Sequence, residues 1–268
     1  MGLVLISYAW SDTVAIAAAI VLAAGVLALA GHRWKTQCKL LLDSVKSEFK
    51  CVSSELKEVK ALLIISQVPL RSPPPWSTWA LSAEALLNII SDIRVARRSI
   101  IVECGCGVST TYIAHYLRSI GRGHIYSIEH DPYWADQVRQ LLEENELADW
   151  ADVIVAPLEE CEIEGQTYLW YSQSRLSALA EVRNIDLLII DGPPGNLGRR
   201  VRFPGLPFFW DRLSDDGRII LDDAYRPDEA AIAELWRLKY GMEPQILDCP
   251  HGCCIFDKGA GDRCNGVV

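Results

Sequence analysis

The sequence has little positive charge. Its 26 Lys and Arg residues are outnumbered by 35 Asp and Glu residues, and the formal net charge is −9 at pH 7. Proteins that wrap nucleic acid carry a basic footprint, so duplex binding is excluded as the main task and no nucleic-acid partner is expected. Gly and Pro are also not in excess, at 18 and 13 residues. Collagen-like and low-complexity classes are therefore excluded.

A disulfide framework is missing as well. The nine Cys residues are an odd number without framework spacing, which favours reduced thiols and a cytosolic compartment. Cys249, Cys253, Cys254 and Cys264 surround a predicted hairpin that also contains His251. They lack the paired C-x₂-C spacing of zinc sites, so we interpret them as small buried side chains.

The first 34 residues are predicted to form a membrane anchor. Residues 13–31 carry no charge, and a helix of that length extends roughly 28 Å, close to the roughly 30 Å hydrocarbon core. Arg33, Lys35 and Lys39 follow it, which predicts a single-pass protein with a cytoplasmic catalytic domain. A cleaved signal peptide and a buried soluble helix are the alternatives, although residues 1–12 contain no basic residue.

Residues 35–67 are predicted to form an amphipathic, coiled-coil-like helix. Its apolar residues recur at alternating steps of three and four and form what we call the heptad seam: Leu42, Val45, Phe49, Val52, Leu56, Val59 and Leu63. About three heptads predict a parallel homodimer. A single helix lying against the globular domain or a lipid surface is the alternative. The prolines of residues 68–75 predict a stiff linker, so the globular domain is expected to span residues 76–268.

The globular domain alternates between apolar runs and helical patterns. The predicted strands are 99–103, 124–129, 152–156, 185–191 and 217–222. Near-continuous apolar strands separated by helices predict an α/β fold with a parallel sheet covered on both faces. Two further runs, 244–249 and 253–256, flank a Pro-His-Gly turn and predict an antiparallel pair at the sheet edge.

Several acids lie at the ends of these strands: Glu103, Glu129, Asp191, Asp222 and Asp223. Ligands of an open parallel sheet bind at the carboxyl ends of its strands, so these acids are expected to converge on one crevice. Thr110 occupies the position where a dinucleotide fingerprint requires its third Gly, and a Walker Gly-Lys-Ser/Thr sequence is absent. Both observations disfavour a dehydrogenase-like nucleotide binder.

Four motifs resemble class I methyltransferases that depend on S-adenosylmethionine (SAM), in the bacterial branch similar to methyltransferase domain family 24. They are Val-Glu-Cys-Gly-Cys-Gly-Val-Ser-Thr at 102–110, Glu-His-Asp at 129–131, Asp-Gly-Pro at 191–193 and Asp-Asp-Ala-Tyr-Arg at 222–226. The resemblance implies a Rossmann-like sheet of order 3-2-1-4-5-7-6 with an antiparallel strand seven. This order agrees with the predicted terminal hairpin.

The resemblance implies SAM as the cofactor. The residues that it places around SAM are Glu103, Gly105, Gly107, Ser109, Thr110, Glu129, His130 and Leu158. The two glycines would shape the turn beneath the methionine and ribose parts. Glu129 would accept hydrogen bonds from both ribose hydroxyls, and Leu158 would border the adenine.

Asp191, Asp222 and Asp223 are the catalytic residues that the resemblance implies. They are also the implied ligands of Mg²⁺, which prefers carboxylate oxygens and would orient an acceptor hydroxyl. Two other roles stay open. Asp191 can act without a metal, as a general base or a ligand of the SAM amino group, and Asp222 and Asp223 can be structural.

The predicted activity is O-methylation of a small-molecule or saccharide-like acceptor. The basic run Arg199, Arg200 and Arg202 is either a loop that contacts an anionic substrate or a solvated surface loop. The aromatic segment 168–171 is expected to serve packing. A catalytically silent interaction domain on a coiled-coil stalk is the alternative, and it predicts weak SAM binding or none.

Overall fold

The structure is a computed structural model that describes residues 2–259, apart from the side chains of residues 2–20 and 26–30. The chain divides into two compact units, residues 1–53 and 54–268. The long first helix crosses this division, and the globular unit contains every other helix and strand.

A single helix, α1, runs from Gly2 to Ile65 where the sequence predicted an anchor followed by a separate helix. The prediction of a membrane-anchored protein is corrected: in the part of the chain that the structure describes, no helix is long and apolar enough to cross a membrane. Within predicted anchor residues 13–31, the longest stretch with described side chains is 21–25. The rest of that segment lies outside the described side chains.

The last turns of α1 belong to the globular unit, which begins earlier than the predicted boundary at residue 76. Ala61 and Ile65 are buried in its core, and the Glu58 carboxylate accepts hydrogen bonds from the backbone N–H groups of Ala83 and Glu84 at 2.6 and 3.0 Å. A carboxylate at this position satisfies the free N–H groups of the next helix.

The side chains of the heptad seam are exposed. Its described members are exposed along the whole seam, and Leu56, Val59 and Leu63 stay exposed even in the turns where Ala61 and Ile65 are buried. The helix therefore presents two different apolar faces. One face packs into the core, and pairing of the other in a homodimer stays a prediction.

The globular unit alternates strands and helices as expected. The elements are α2 (Ala83–Val95), β1 (Ile100–Cys104), α3 (Val108–Ile120), β2 (His124–Glu129), α4 (Pro132–Glu144), β3 (Ala151–Val155), β4 (Leu158–Ile163), β5 (Gln166–Tyr171), β6 (Ile185–Ile190), α5 (Gly205–Phe209), β7 (Leu213–Asp222), α6 (Pro227–Tyr240), β8 (Gln245–Leu247) and β9 (Cys253–Asp257). Ser82 and Asp131 cap α2 and α4 through side-chain hydrogen bonds to backbone N–H groups.

The seven-stranded sheet has the order β3-β2-β1-β6-β7-β9-β8. The first five strands are parallel, and β9 is antiparallel to both β7 and β8. With β4 and β5 left out, this is the order that the family resemblance implied, so the Rossmann-like α/β fold class is confirmed. The outlying pair β4-β5 forms a separate antiparallel hairpin that the sequence analysis did not predict.

The core has two layers, one on each face of the sheet. Alternate residues of β1 and β6 point to opposite layers: Ile101 and Leu187 belong to one cluster, and Val102 and Leu188 belong to the other. This alternation is the reason that both strands are apolar at nearly every position. The second layer also contains Trp170 and Tyr171 of β5, which attaches the hairpin to the sheet.

Candidate active site

A cavity of about 360 Å³ lies at the carboxyl ends of β1, β2, β6 and β7. It brings together eight of the residues selected from the sequence: Gly105, Gly107, Ser109, Glu129, His130, Asp191, Asp222 and Asp223. Glu103, Thr110 and Leu158 are not among its lining residues. The predicted convergence of strand-end acids on one crevice therefore holds for all of them except Glu103.

The turn after β1 packs directly on the turn after β6. Gly105 has a φ of +95° and donates its N–H to the Ile128 carbonyl at 2.8 Å. The N–H groups of Asp191 and Gly192 both donate to the Cys104 carbonyl, at 3.0 and 2.7 Å. A Cβ at Gly105 would lie 3.4 Å from the Gly192 nitrogen, in a backbone conformation that disfavours side chains. This glycine keeps the two turns in contact beneath the cavity.

Glu103 lies behind this turn, where it is 1% exposed. Its carboxylate accepts hydrogen bonds from the hydroxyls of Ser109, Thr110 (2.6 Å) and Ser127 (2.8 Å). Burial raises the pKa of Glu103 to about 7, against the lowering effect of these hydroxyls. Glu103 and Thr110 therefore lie outside the cavity lining, in a position that joins β1, α3 and β2, and their implied place around SAM stays a prediction.

Glu129 lines the cavity at the end of β2. Its Oε1 accepts the backbone N–H groups of His130 and Asp131 at 2.8 and 2.9 Å, and its Oε2 accepts the N–H of Cys106 at 3.3 Å. His130 Nδ1 lies 2.6 Å from Oε1, and this hydrogen bond raises the pKa of His130. These contacts fix the carboxylate in one orientation.

Asp191, Asp222 and Asp223 lie together on the opposite side of the cavity, with one oxygen from each within 4.8 Å of the others. Asp223 has a φ of +60°, a left-handed conformation that is uncommon for residues with a side chain but that Asp adopts more readily than most. The buried guanidinium of Arg202 lies among these acids, with Nη1 2.9 Å from Asp223 Oδ2 and Nη2 3.4 Å from Asp191 Oδ1. Arg226 also contacts Asp223, at 2.7 Å.

Two of these acids have raised pKa values. Burial, followed by the charge of Asp222, raises the pKa of Asp191 well above its ordinary value. Burial, followed by the charge of Asp223, raises the pKa of Asp222 to about 6. The thiol of Cys253 donates to Asp222 Oδ1 at 3.1 Å. This side of the cavity can therefore exchange a proton near neutral pH.

The three carboxylates have the hard oxygens that Mg²⁺ prefers. Two of them, however, already contact Arg202, so an ion bound by these carboxylates would lie a few ångströms from a positive charge. In this arrangement the residues do not fit a divalent cation. The predicted Mg²⁺ site has not been tested directly and stays a prediction.

Sequence reasoning missed three residues of the site. Tyr171 was interpreted as packing, yet it lines the cavity and its buried hydroxyl has no hydrogen-bond partner among the described residues. Arg202 was assigned to a loop that either contacts an anionic substrate or is solvated, whereas the structure buries it in the cavity lining. His251 lines the cavity from the β8-β9 turn, where its carbonyl accepts the N–H of Tyr225 at 3.0 Å. The only signals were an aromatic run, a basic run and a Pro-His-Gly turn.

The cavity has features that fit SAM. Gly105 allows close backbone approach, Glu129 offers a fixed carboxylate, and the Tyr171 hydroxyl is free to bond a polar ligand. Leu158 instead begins β4 and pairs with Tyr171, which leaves it away from the cavity lining.

Comparison with known proteins agrees with this description. Residues 102–224 match the family model described as methyltransferase domain. The fold is similar to that of an O-methyltransferase from Bacillus cereus in complex with SAH, with a TM-score of 0.52, 15% identity and coverage of 75% of this chain and 90% of that one. For a SAH-bound methyltransferase from Podospora anserina, the TM-score is 0.52 and the identity 14%, and the similarity covers 66% of this chain and 79% of that one. For a methyltransferase from Geobacter sulfurreducens, the TM-score is 0.50 and the identity 16%, and the similarity covers 68% of this chain and 82% of that one. No curated protein sequence matches the chain.

The structural similarities, all at low identity, describe the fold. The family match assigns the segment that carries the Gly-rich turn, Glu129, Asp191 and the Asp222-Asp223 pair. The resemblance found in the sequence is thereby confirmed, and the chain is a SAM-dependent methyltransferase.

Proposed function

We propose that the protein methylates a hydroxyl oxygen of a small-molecule or saccharide-like acceptor. The observation that carries this proposal is the group of three acids on the side of the cavity opposite Glu129, two of which have raised pKa values. When bound, SAM supplies a methyl group that its sulfonium has already activated. The protein must then align the acceptor oxygen and take up its proton.

The SAM side of the cavity is the Gly-rich turn together with Glu129. In the proposal, Gly105 and Gly107 let the backbone approach the cofactor, and Ser109 lies at the N-terminal end of α3. Glu129 accepts hydrogen bonds from the ribose hydroxyls, with His130 beside it. Support comes from the fixed position of the Glu129 carboxylate, which already accepts three backbone N–H groups and one imidazole contact.

The acceptor side is the acidic group. A carboxyl group whose pKa lies near the working pH is well suited to accept a proton from a hydroxyl. Asp222, with a pKa of about 6, and Asp191, with a raised pKa, both line the cavity. In the proposal ionised Asp222 receives the hydroxyl proton, and Asp191 and Asp223 complete the group.

The size of the cavity supports a small acceptor. At about 360 Å³ it lies in the range of roughly 300–1,000 Å³ that is typical of small-molecule pockets. Trp79 and Trp134 are among its lining residues and provide flat apolar surfaces for a ring-shaped substrate.

The proposal is tested by calorimetric titration of the full chain with SAM and with S-adenosylhomocysteine. We expect both to bind, and we expect Glu129→Gln to weaken binding about 10- to 100-fold, because hydrogen bonds to a charged carboxylate contribute about 1.5–3 kcal/mol. Glu159→Gln, an exposed change on β4, is the matched control.

Failure of the folded wild-type chain to bind SAM would remove the cofactor assignment. Unchanged affinity in Glu129→Gln would remove only the role of Glu129. Transfer of a labelled methyl group from SAM to a panel of hydroxylated acceptors, measured by mass spectrometry, then tests the proposed reaction. Methylation of amine or thiol acceptors alone would contradict it.

A further inference from the structure

Arg202 is the buried basic residue of the acidic side of the cavity, and it is only 3% exposed. Its Nε donates to the Pro193 carbonyl at 3.2 Å. Its Nη1 donates to the Asp222 carbonyl at 3.3 Å and to Asp223 Oδ2 at 2.9 Å, and its Nη2 donates to Asp191 Oδ1 at 3.4 Å. One guanidinium thus connects the turns after β6 and β7.

The surrounding chain holds Arg202 in this position. Its neighbours Val201 and Phe203 are buried, and the Phe203 carbonyl accepts the indole N–H of Trp236 at 3.2 Å. The other two basic residues of the run are placed differently. Arg199 is largely exposed, and Arg200 contacts Gln166 of the hairpin. Only one of three nearby arginines is therefore built into the site.

The charges around Arg202 explain why a cation is required there. Asp191, Asp223 and Glu229 all lie within 4.0 Å of its guanidinium. Burial alone lowers the pKa of Arg202, but the charges of these acids raise it above the ordinary value. Isolated buried carboxylates are strongly unfavourable, so the group needs a positive charge at its centre.

We propose that Arg202 takes the place of a divalent cation in this active site, holding Asp191 and Asp223 and making the site independent of metal. Arg202 already holds one oxygen of Asp191 and one of Asp223, and a metal ion bound by these carboxylates would be repelled by the guanidinium a few ångströms away. The guanidinium does not lose its proton in proteins, so Arg202 is a positioning residue and the acids accept the proton. This inference rests on the proposed function.

The test is Mn²⁺ titration of the full chain, followed by the electron paramagnetic resonance signal of free Mn²⁺. We expect wild type to show no saturable site. Arg202→Met removes the guanidinium from Asp191 and Asp223 and is expected to gain one Mn²⁺ site, which the double change Arg202→Met/Asp223→Asn should lose again. Arg226, which also contacts Asp223, is kept in both variants. Arg199→Met, an exposed change in the same run, should behave as wild type.

A saturable Mn²⁺ site in wild type that disappears in Asp223→Asn would overturn the inference. A folded Arg202→Met protein without a Mn²⁺ site would overturn it as well. If that variant does not fold, Arg202→Lys, which keeps the charge, is compared with wild type, and Mn²⁺ binding by either protein counts against the inference. SAM titration of the same wild-type sample tests the proposed function separately.

Discussion

Glu103, behind the cavity, and the aspartates that line it are buried acids that are stabilised in different ways. Glu103 has three hydroxyl partners, Ser109, Thr110 and Ser127. The aspartates on the other side are held by Arg202. Hydroxyls can serve a protonated or an ionised carboxyl group, whereas a guanidinium favours the ionised form. The hydroxyls around Glu103 therefore suit both protonation states, whereas the charge of Arg202 partly offsets the effect of burial on the pKa of Asp191.

The partners of the two groups also differ in sequence distance. Ser109, Thr110 and Ser127 lie on the helix and strand that directly follow Glu103, so this group stabilises one β-α-β unit. Arg202 instead joins loops that follow two different strands and contacts α6 through Glu229. The first group supports the SAM-binding turn, and the second supports the side that we assign to the acceptor.

Removal of the arginine is expected to have the largest effect. Arg202→Met should lower the free energy of unfolding by about 3–5 kcal/mol at pH 7.5, because it leaves buried carboxylates without a partner. At pH 5 the loss should shrink, since Asp222, whose pKa burial raises to about 6, is then largely protonated. Urea unfolding followed by circular dichroism at both pH values measures this.

Arg199→Met, whose side chain is exposed, is the control for Arg202→Met and should change stability by less than about 0.5 kcal/mol. A loss in Arg202→Met that is equally large at pH 5 and pH 7.5 would show that packing, and not charge, explains its effect.

The hydroxyl-held group is expected to show a pH dependence of its own. The pKa of Glu103 is about 7 in the folded protein and 4.5 for the free group. Between these values the folded state binds a proton that the unfolded state does not, so stability falls as pH rises from 4.5 to 7. At about 1.36 kcal/mol per pKa unit the fall is about 3 kcal/mol. Glu103→Gln should flatten this part of the curve.

Thermal unfolding of wild type and Glu103→Gln between pH 5 and pH 8 checks this expectation. Glu159→Gln should keep the wild-type slope, because that side chain is exposed. In Glu103→Gln, stability should still fall somewhat as pH rises, because the pKa values of Asp191 and Asp222 are also raised in the folded protein. An unchanged slope in Glu103→Gln would mean that Glu103 is ionised across this range and that the two groups do not differ as described.

The smallest effect is expected at Tyr171, whose buried hydroxyl has no partner among the described residues. Tyr171→Phe should weaken SAM binding about fivefold, because one neutral hydrogen bond contributes about 1 kcal/mol. Tyr168→Phe is the control, since its hydroxyl already donates to Gln166 at 2.9 Å. Equal calorimetric affinities of wild type and Tyr171→Phe would show that this hydroxyl does not contact the cofactor.

Much of the fold could be predicted from the sequence because its signals are local. The strand at 124–129 was predicted with its observed ends, and the other sheet strands differ at their ends by a few residues. The β4-β5 hairpin was missed, because three of the six residues of β4 are Glu159, Glu160 and Glu162 and the segment resembles a surface loop. A hairpin outside the main sheet leaves little hydrophobic signal.

The sequence by itself determined the alternation of strands and helices, the family motifs and the acids at the strand ends, because each depends on spacing within a short segment. Only the tertiary structure decided that Glu103 lies behind the cavity and that Tyr171 lines it. It alone decided that Arg202 contacts acids 11 and 21 residues away. Those contacts depend on how separate loops pack together. Burial then determines how strongly the charges interact, because the local dielectric is low.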